Sequence, residues 1–191
     1  MAAWKNALYI LLAALIGGSK MTKKQELHVF CTVAAIIERV HDGELEVLLQ
    51  TRWKAEDTLY SGLLEIPGGR IQLGEDIQTA LQREIEEETG LRIGEQSPSV
   101  DVRRPGKYGK TSVAFVSFCG EQFLGSNYIG FVFVCKASGK LLKKGIYDGK
   151  EPRWFKFSEL KKLLSDKPEE IFPYHLSALT YYVQQKEKDQ E

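Results

Sequence analysis

The sequence predicts an α/β fold in which helices flank a mixed β-sheet, and three observations support this. Short apolar, β-branched segments separated by turn residues recur along the chain, as expected for strands. They alternate with a well-bounded helical segment near the middle and two more at the carboxyl end. At 191 residues and 43% hydrophobic content, the chain can bury one sizeable core but is short for two full domains. We therefore expect one α/β/α sandwich.

The first strands are predicted to form a hairpin. Residues 27–37 are mostly apolar or β-branched, Asp42 and Gly43 supply turn chemistry, and residues 47–49 are apolar again. A polar stretch then precedes a short strand at 63–66, which Pro67 and the two glycines after it end. We expect this strand to feed a loop.

The central helix is predicted at about 75–89. This segment contains no proline or glycine, and Gly90 follows it as a left-handed cap. The later part of the chain predicts three strands and two helices. The strands are at 113–119, 128–135 and 154–157, and the helices are at 158–164 and 173–185.

Residues 1–20 form an apolar leader of uncertain status. The apolar run at 7–17 is too short to span a bilayer comfortably, and Lys5 alone is a weak positive region for a signal peptide. An appended or misassigned leader and a real targeting or anchoring segment fit equally well. We assign the catalytic domain to 21–191. We expect a cytoplasmic protein without membrane attachment, unless the leader is a real anchor.

Charge and cysteine content narrow the class of ligand. The chain has 26 lysine and arginine residues and 26 aspartate and glutamate residues. It therefore has no net positive charge that would attract DNA or RNA. A small anionic ligand then needs a local site and a cation.

The three cysteines do not indicate a zinc site. Cys31, Cys119 and Cys135 lack the close spacing of zinc ligands, and their apolar, strand-like surroundings predict buried free thiols.

A helical wheel places three glutamates beside the apolar stripe of the central helix. Glu84 and Glu88 continue the stripe, Glu87 lies at its margin, and Glu86 points the opposite way. The stripe itself consists of Ile77, Ala80 and Leu81. A solvated acidic run is the commonest explanation for such charges, but it does not place carboxylates on the inward side.

This arrangement destabilises the helix unless a cation binds. Burying an unpaired anion costs on the order of several kcal/mol, and like charges three and four residues apart repel. The carboxyl end of a helix also disfavours anions. Oxygen ligands without nearby histidine or cysteine favour Mg²⁺, for which Mn²⁺ can substitute.

The spacing around these carboxylates resembles the Nudix box. Gly69 is followed by five residues, Glu75, seven residues, and then Arg83-Glu84-Ile85-Glu86-Glu87-Glu88-Thr89-Gly90-Leu91. The wider resemblance covers 27–164, including 64–69 before the box and 151–155 after it. It implies a Nudix-like α/β/α sandwich and a Mg²⁺-dependent pyrophosphohydrolase. The implied substrate is a small nucleoside diphosphate linked to another moiety.

The resemblance also implies roles for the box residues. In similar enzymes, metal ions held by the box neutralise the diphosphate and activate a water that attacks one phosphorus. Here the implied metal ligands are Glu84, Glu87 and Glu88. Arg83 is expected to orient a carboxylate. The glycines Gly68 and Gly69 are expected to bring the loop backbone close to the substrate.

The general base and the substrate contacts remain open. Glu87 and Glu151 are both candidates for the base, although Glu151 is equally explained as an exposed strand-edge carboxylate. Arg52 and Tyr108 are candidates for binding substrate. Trp53, Tyr60 and Tyr108 lie in polar stretches where a ring can stack on a base.

Two other functions fit the same resemblance. Allylic diphosphate isomerases share the box but use a cysteine at the reacting carbon, which the expected burial of the cysteines disfavours. Non-catalytic nucleotide-binding regulatory modules resemble the family but carry damaged boxes, and this box is intact. The last helix carries Leu176, Leu179 and Val183 at helical spacing, which predicts a core stripe first and a homodimer contact second.

Overall fold

The structure is a computed structural model that describes residues 29–53, 59–94, 115–123, 126–143 and 149–189. The leader at 1–20 and Tyr108 lie outside these residues, so the expectations for them stay predictions. Within the described ranges, no helix has the length and apolar character needed to cross a membrane.

The described part of the chain contains strands and helices in the proportions of an α/β fold, which confirms the predicted class. The strands are β1 (Val29–His41), β2 (Glu44–Arg52), β3 (Leu64–Glu65), β4 (Gly68–Arg70), β5 (Leu91–Ile93), β6 (Phe115–Phe123), β7 (Ser126–Cys135), β8 (Ala137–Gly139) and β9 (Gly149–Lys156). The helices are α1 (Ile77–Thr89), α2 (Phe157–Asp166) and α3 (Pro173–Lys188).

The main sheet is mixed, as predicted, and β1 is its central strand. Its order is β3-β2-β1-β7-β6, with β4 added on β1 and β9 added on β2. The β1–β7 pair is parallel, whereas β1 is antiparallel to β2 and to β4. The short strands β5 and β8 form a separate antiparallel pair.

Alternating residues of β1 divide the core into two layers. Ala34 and Ile36 pack with α2 and α3 on one face, while Val33, Ala35 and Ile37 pack with α1 on the other. The sheet is therefore covered by helices on both faces, and α1 is fixed against one of them. Within the terminal helix, Leu179 and Val183 are buried and Leu176 packs partly against the same core, so the predicted core stripe is confirmed.

Several element boundaries differ from the sequence expectation, and three of them have a clear local cause. The glycines after Pro67 belong to β4, whose pairing with β1 overrides the low strand preference of glycine. Helix α1 begins at Ile77, because the Asp76 side chain caps the backbone N–H groups of Gln78 and Thr79. Phe157, expected in a strand, opens α2.

The prediction of uniformly buried thiols was wrong for Cys31, which is exposed. The first residues of β1 extend beyond the two core layers, so their apolar neighbours in sequence do not cover them. Cys135 is buried as predicted, and burial raises the pKa of its thiol to about 12. The side chain of Cys119 lies outside the described part of the chain.

Candidate active site

Helix α1 has sharply defined ends, which fixes the direction of its glutamates. Asp76 caps the first turn. Gly90 ends the helix in the left-handed conformation with φ 74°, and its N–H bonds to the Glu86 carbonyl. A Cβ on Gly90 would lie 2.7 Å from the Leu142 side chain, so glycine is required for space as well as for φ.

Glu88 is the most deeply placed carboxylate of α1, with 3% of the residue exposed. Its Oε2 accepts hydrogen bonds from the Gly68 backbone N–H at 2.8 Å and from the Gln50 side-chain amide at 2.7 Å. Charge-assisted hydrogen bonds of this kind are stronger than neutral ones. Glu88 thereby joins α1 to β4 and to β2.

A second buried acid lies beside Glu88. Glu65 on β3 is 4% exposed, pairs with the Arg52 guanidinium at 3.0 Å, and accepts a longer bond from Gln50 at 3.4 Å. Burial, and then the negative charge of Glu65, raise the pKa of Glu88 well above its usual range. The ionised form of Glu88 is thus destabilised unless a positive charge approaches it.

Arg83 gathers the remaining acids of the box. Its Nε and Nη2 pair with both oxygens of Glu75 at 2.6 and 3.0 Å. Its Nη1 reaches Glu84 at 2.7 Å and Glu87 at 3.3 Å, and its Nη2 also donates to the Arg70 carbonyl at 3.0 Å. Arg83 is therefore paired with Glu75. Arg83 also orients two of the three predicted metal ligands.

The loop glycines lie in close contact with the site. A Cβ built on Gly69 would overlap the carboxylate of Glu84, and one built on Gly68 would overlap the Val33 carbonyl. Only residues without a side chain allow β4 to pass between β1 and α1 at this distance. The backbone of Gly69 therefore forms the surface on which Glu84 rests.

The three predicted metal ligands lie along one edge of α1 without surrounding a common point. Within the described ranges, no group of three or more histidine, cysteine, aspartate or glutamate side chains is arranged to hold a metal ion. Glu84 and Glu87 contact Arg83, while Glu88 lies deeper against Gly68. Glu87 has the longest of these contacts and 36% side-chain exposure, so it has the most freedom to turn.

The chemistry of these residues nevertheless fits a divalent cation. Each of the three carboxylates has one oxygen that accepts no hydrogen bond from the described residues, namely Glu84 Oε2, Glu87 Oε1 and Glu88 Oε1. An all-oxygen donor set suits Mg²⁺ or Mn²⁺. The raised pKa values of Glu84 and Glu88, caused first by burial, are what a bound cation would lower.

Two other predicted site residues lie away from this edge. The Arg52 side chain is 9% exposed, pairs with Glu65, and stacks on the Phe172 ring at 4.1 Å. β2 directs Arg52 into the interior, where it pairs with Glu65, and the expected substrate contact stays a prediction. Glu151 is exposed and has a left-handed φ of 54°, opposite the register shift of β2. This φ costs a non-glycine residue on the order of 1–2 kcal/mol.

The aromatic residues proposed to stack on a base have different environments. Trp53 is 47% exposed, whereas the Tyr60 ring packs edge-on against Phe172 at 5.6 Å. An arginine–aromatic cluster that the sequence did not indicate consists of Phe30, Arg70 and Tyr128. The Arg70 guanidinium lies 4.4 Å from the Phe30 ring centre and donates to the Tyr128 hydroxyl at 2.6 Å.

No local sequence signal marks the Phe30–Arg70–Tyr128 cluster, because its members lie on three strands. The parallel register of β1 and β7 sets Phe30 opposite Tyr128. The antiparallel pairing of β4 with β1 sets Arg70 opposite Thr32. Phe30 is 39% exposed, so the cluster reaches the surface. It lies next to the box, because Arg70 directly follows Gly69.

Comparison with known proteins shows the family of this chain. The NUDIX domain family model matches residues 31–175. The ADP-ribose pyrophosphatase of Methanocaldococcus jannaschii is 28% identical over 158 residues, which cover 81% of this chain and 82% of that protein.

Solved structures show the same fold at lower identity. The MutT protein from Methanosarcina mazei Go1 has a TM-score of 0.61 and 21% identity, covering 84% of this chain and 97% of that chain. The NUDIX domain of Shewanella oneidensis NrtR, solved in complex with ADP ribose, has a TM-score of 0.60 and 15% identity, covering 97% and 98%. With an intact box on α1 and a family match over most of its length, the chain belongs to the Nudix family as a pyrophosphohydrolase.

Proposed function

We propose that this protein is a Mg²⁺-dependent hydrolase that cleaves the diphosphate linkage of a nucleoside diphosphate joined to another moiety, with ADP-ribose as the first substrate to test. The observation that carries the proposal is the box itself. Arg83 holds Glu84 and Glu87 on α1, next to Glu88 and against the backbone of Gly69. The pyrophosphatase relative and the ADP-ribose complex of a structural neighbour support this substrate class.

The residues that would hold the metal are Glu84, Glu87 and Glu88. Bound there, Mg²⁺ or Mn²⁺ would neutralise diphosphate oxygens and lower the pKa of an attacking water. The protein itself supplies rigid positions for the ligands. Glu88 is fixed by two donors, Glu84 by Arg83 and the Gly69 backbone, and Glu87 is left with room to move.

Two carboxylates are candidates for accepting the proton from water. Glu87 lies on the box edge and is partly exposed, so it can serve either as a metal ligand or as the base. Glu151 is exposed on β9 in a strained conformation, and strained residues cluster at functional sites. Separate Glu87→Gln and Glu151→Gln variants, assayed at saturating Mg²⁺, distinguish them, because loss of the base removes the acid limb of the pH–rate profile, whereas loss of a ligand raises the Mg²⁺ requirement.

The moiety beyond the diphosphate is proposed to contact the Phe30–Arg70–Tyr128 cluster. Arg70 follows Gly69 directly, and its carbonyl is bonded to Arg83, so the cluster adjoins the box. A guanidinium held over aromatic rings presents a flat cationic surface to a planar base or to a phosphate.

We place the enzyme in the cytoplasm, acting on small molecules and not on nucleic acid, with residues 21–191 as its catalytic domain.

A hydrolysis screen tests the function. Purified protein is incubated with Mg²⁺ and ADP-ribose, nucleotide sugars, dinucleoside polyphosphates, coenzyme A, nucleoside triphosphates and an allylic diphosphate, and products are resolved chromatographically. We expect Mg²⁺-dependent release of a mononucleotide from at least one nucleoside diphosphate derivative, and its loss in Glu87→Gln. Isomerisation of the allylic diphosphate without hydrolysis of any nucleotide would overturn the proposal. The allylic diphosphate is included because Cys31 is exposed, and isomerases that resemble this family use a cysteine.

A further inference from the structure

Gln50 on β2 occupies an unusual place in the interior. It is 1% exposed, and its side-chain amide donates to the Oε2 of Glu88 at 2.7 Å and toward the Oε1 of Glu65 at 3.4 Å. A neutral side chain therefore lies between two buried carboxylates. Its own Oε1 is also buried and accepts no hydrogen bond within the described part of the chain. Leaving such an acceptor unsatisfied costs about 1–3 kcal/mol.

The backbone around Gln50 is irregular in a way that directs this side chain. The pairing of β2 with β9 shifts register between Leu49 and Thr51, so Gln50 lies within the irregularity. On β9, the same site contains Glu151 with its left-handed φ, followed by Pro152, which has no backbone N–H. Irregularities of this kind re-aim a side chain next to active sites.

We infer that Gln50 is a positioning residue that fixes the orientation of Glu88 and thereby sets the affinity of the box for its divalent cation. Gln50 and the Gly68 N–H both donate to Oε2 of Glu88, which leaves Oε1 as the oxygen without a hydrogen bond from the described residues. A carboxylate held in this way presents one defined oxygen to a cation without losing side-chain freedom on binding.

This inference rests on the proposed function, because it assigns a role to Glu88 as a ligand. It goes further by assigning a role to a residue outside the Nudix box. Removing an outer partner of a metal ligand typically weakens metal affinity by about 10–100-fold. A residue that only fills space would alter stability and leave the cation concentration required for half-saturation unchanged.

The test compares two variants of Gln50. Gln50→Met keeps the side-chain volume but removes the N–H donors of the amide, and Gln50→Asn keeps the amide on a side chain that is one methylene shorter. The matched control is Gln82→Leu. Gln82 is a half-buried glutamine that, like Gln50, has one unsatisfied side-chain atom, but its partner is the Ile93 N–H and not a carboxylate. Mg²⁺ is titrated without substrate, following the rise in Tm, and again during turnover.

We expect both Gln50 variants to need at least about tenfold more Mg²⁺ for half of the full Tm rise, with kcat at saturating Mg²⁺ changed much less. Gln82→Leu should keep the wild-type Mg²⁺ requirement. Gln50 variants whose half-saturating Mg²⁺ stays within about twofold of wild type would overturn the inference. Wild-type protein that hydrolyses no diphosphate at any Mg²⁺ concentration would instead overturn the proposed function, so the two failures are distinguishable.

Discussion

At the scale of single residues, the box contains two kinds of carboxylate. Glu88 is enclosed, shares its surroundings with Glu65, and has a raised pKa because burial and a neighbouring negative charge disfavour ionisation. Glu75 is held by Arg83, whose hydrogen bonds lower the pKa of its carboxyl group. A cation is therefore needed most at Glu88, and least at Glu75, whose charge Arg83 already compensates.

Glu88→Gln separates stability from activity. The amide retains an acceptor for Gly68 and Gln50 and removes an anion from beside Glu65, so the metal-free variant should be at least as stable as wild type at neutral pH. Because the pKa of Glu88 is raised in the folded state, the stability of the wild type falls as the pH rises through that pKa. Glu88→Gln has no group that titrates there, so its stability should not fall in this way. Denaturant unfolding in chelator, from pH 5 to 8, measures the difference.

The same variant should lose activity by at least about 100-fold, more than the change of an outer partner costs. The control is Glu86→Gln, since the Glu86 side chain points away from the edge that carries Glu84, Glu87 and Glu88 and pairs with the exposed Arg92. Near-wild-type hydrolysis by Glu88→Gln would contradict a ligand role for Glu88.

At the scale of elements, the site depends on the contact between β4 and α1. β4 joins β1 through three paired positions, which brings Gly69 under Glu84, while Arg83, beside Glu84, ties α1 to the Arg70 carbonyl. The helix and the short strand therefore act as one unit. The distance between α1 and β4 is this short because Gly69 has no side chain.

Gly69→Ala tests this contact. The added methyl group would overlap the Glu84 carboxylate and force α1 or β4 to shift, which should cost about 1–3 kcal/mol of stability, as overpacking does, and most of the activity. Gly94→Ala is the matched control, because its Cβ would lie 3.9 Å from the Lys136 carbonyl and it requires no left-handed φ. Tm and kcat/KM are measured for both, and equal losses in the two variants would rule out a special role for Gly69.

At the scale of the whole molecule, a buried histidine joins the terminal helix to the strand that leads into the box. His175 on α3 accepts the Ile66 N–H through Nδ1 at 3.3 Å, and burial, with a smaller effect from Arg52, lowers the pKa of His175 to about 3. Protonation would break this bond and place a charge near Arg52. The neutral imidazole is thus a condition of the packed fold.

Linkage gives the sign of the pH dependence. The unfolded state, with an ordinary histidine pKa near 6.5, binds one more proton than the folded state between about pH 6.5 and 3. His175 should therefore contribute a loss of stability as pH falls through this window, of up to about 1.4 kcal/mol per pH unit. His175→Asn should show a shallower decline in unfolding free energy from pH 6.5 to 4, and parallel curves for the two proteins would contradict the assignment.

The sequence by itself determined the fold class, the central helix with its glycine cap, and which faces of that helix its glutamates occupy. These features are local, since periodicity and turn chemistry are properties of neighbouring residues. Only the tertiary structure decided that Arg52 points inward, that Cys31 is exposed, that Gln50 and Glu65 enclose Glu88, and that Phe30, Arg70 and Tyr128 meet. Those contacts join strands, or a strand and helix α1, that are separate in sequence. Strand register and packing decide where each side chain lies, so no local sequence pattern indicates these contacts.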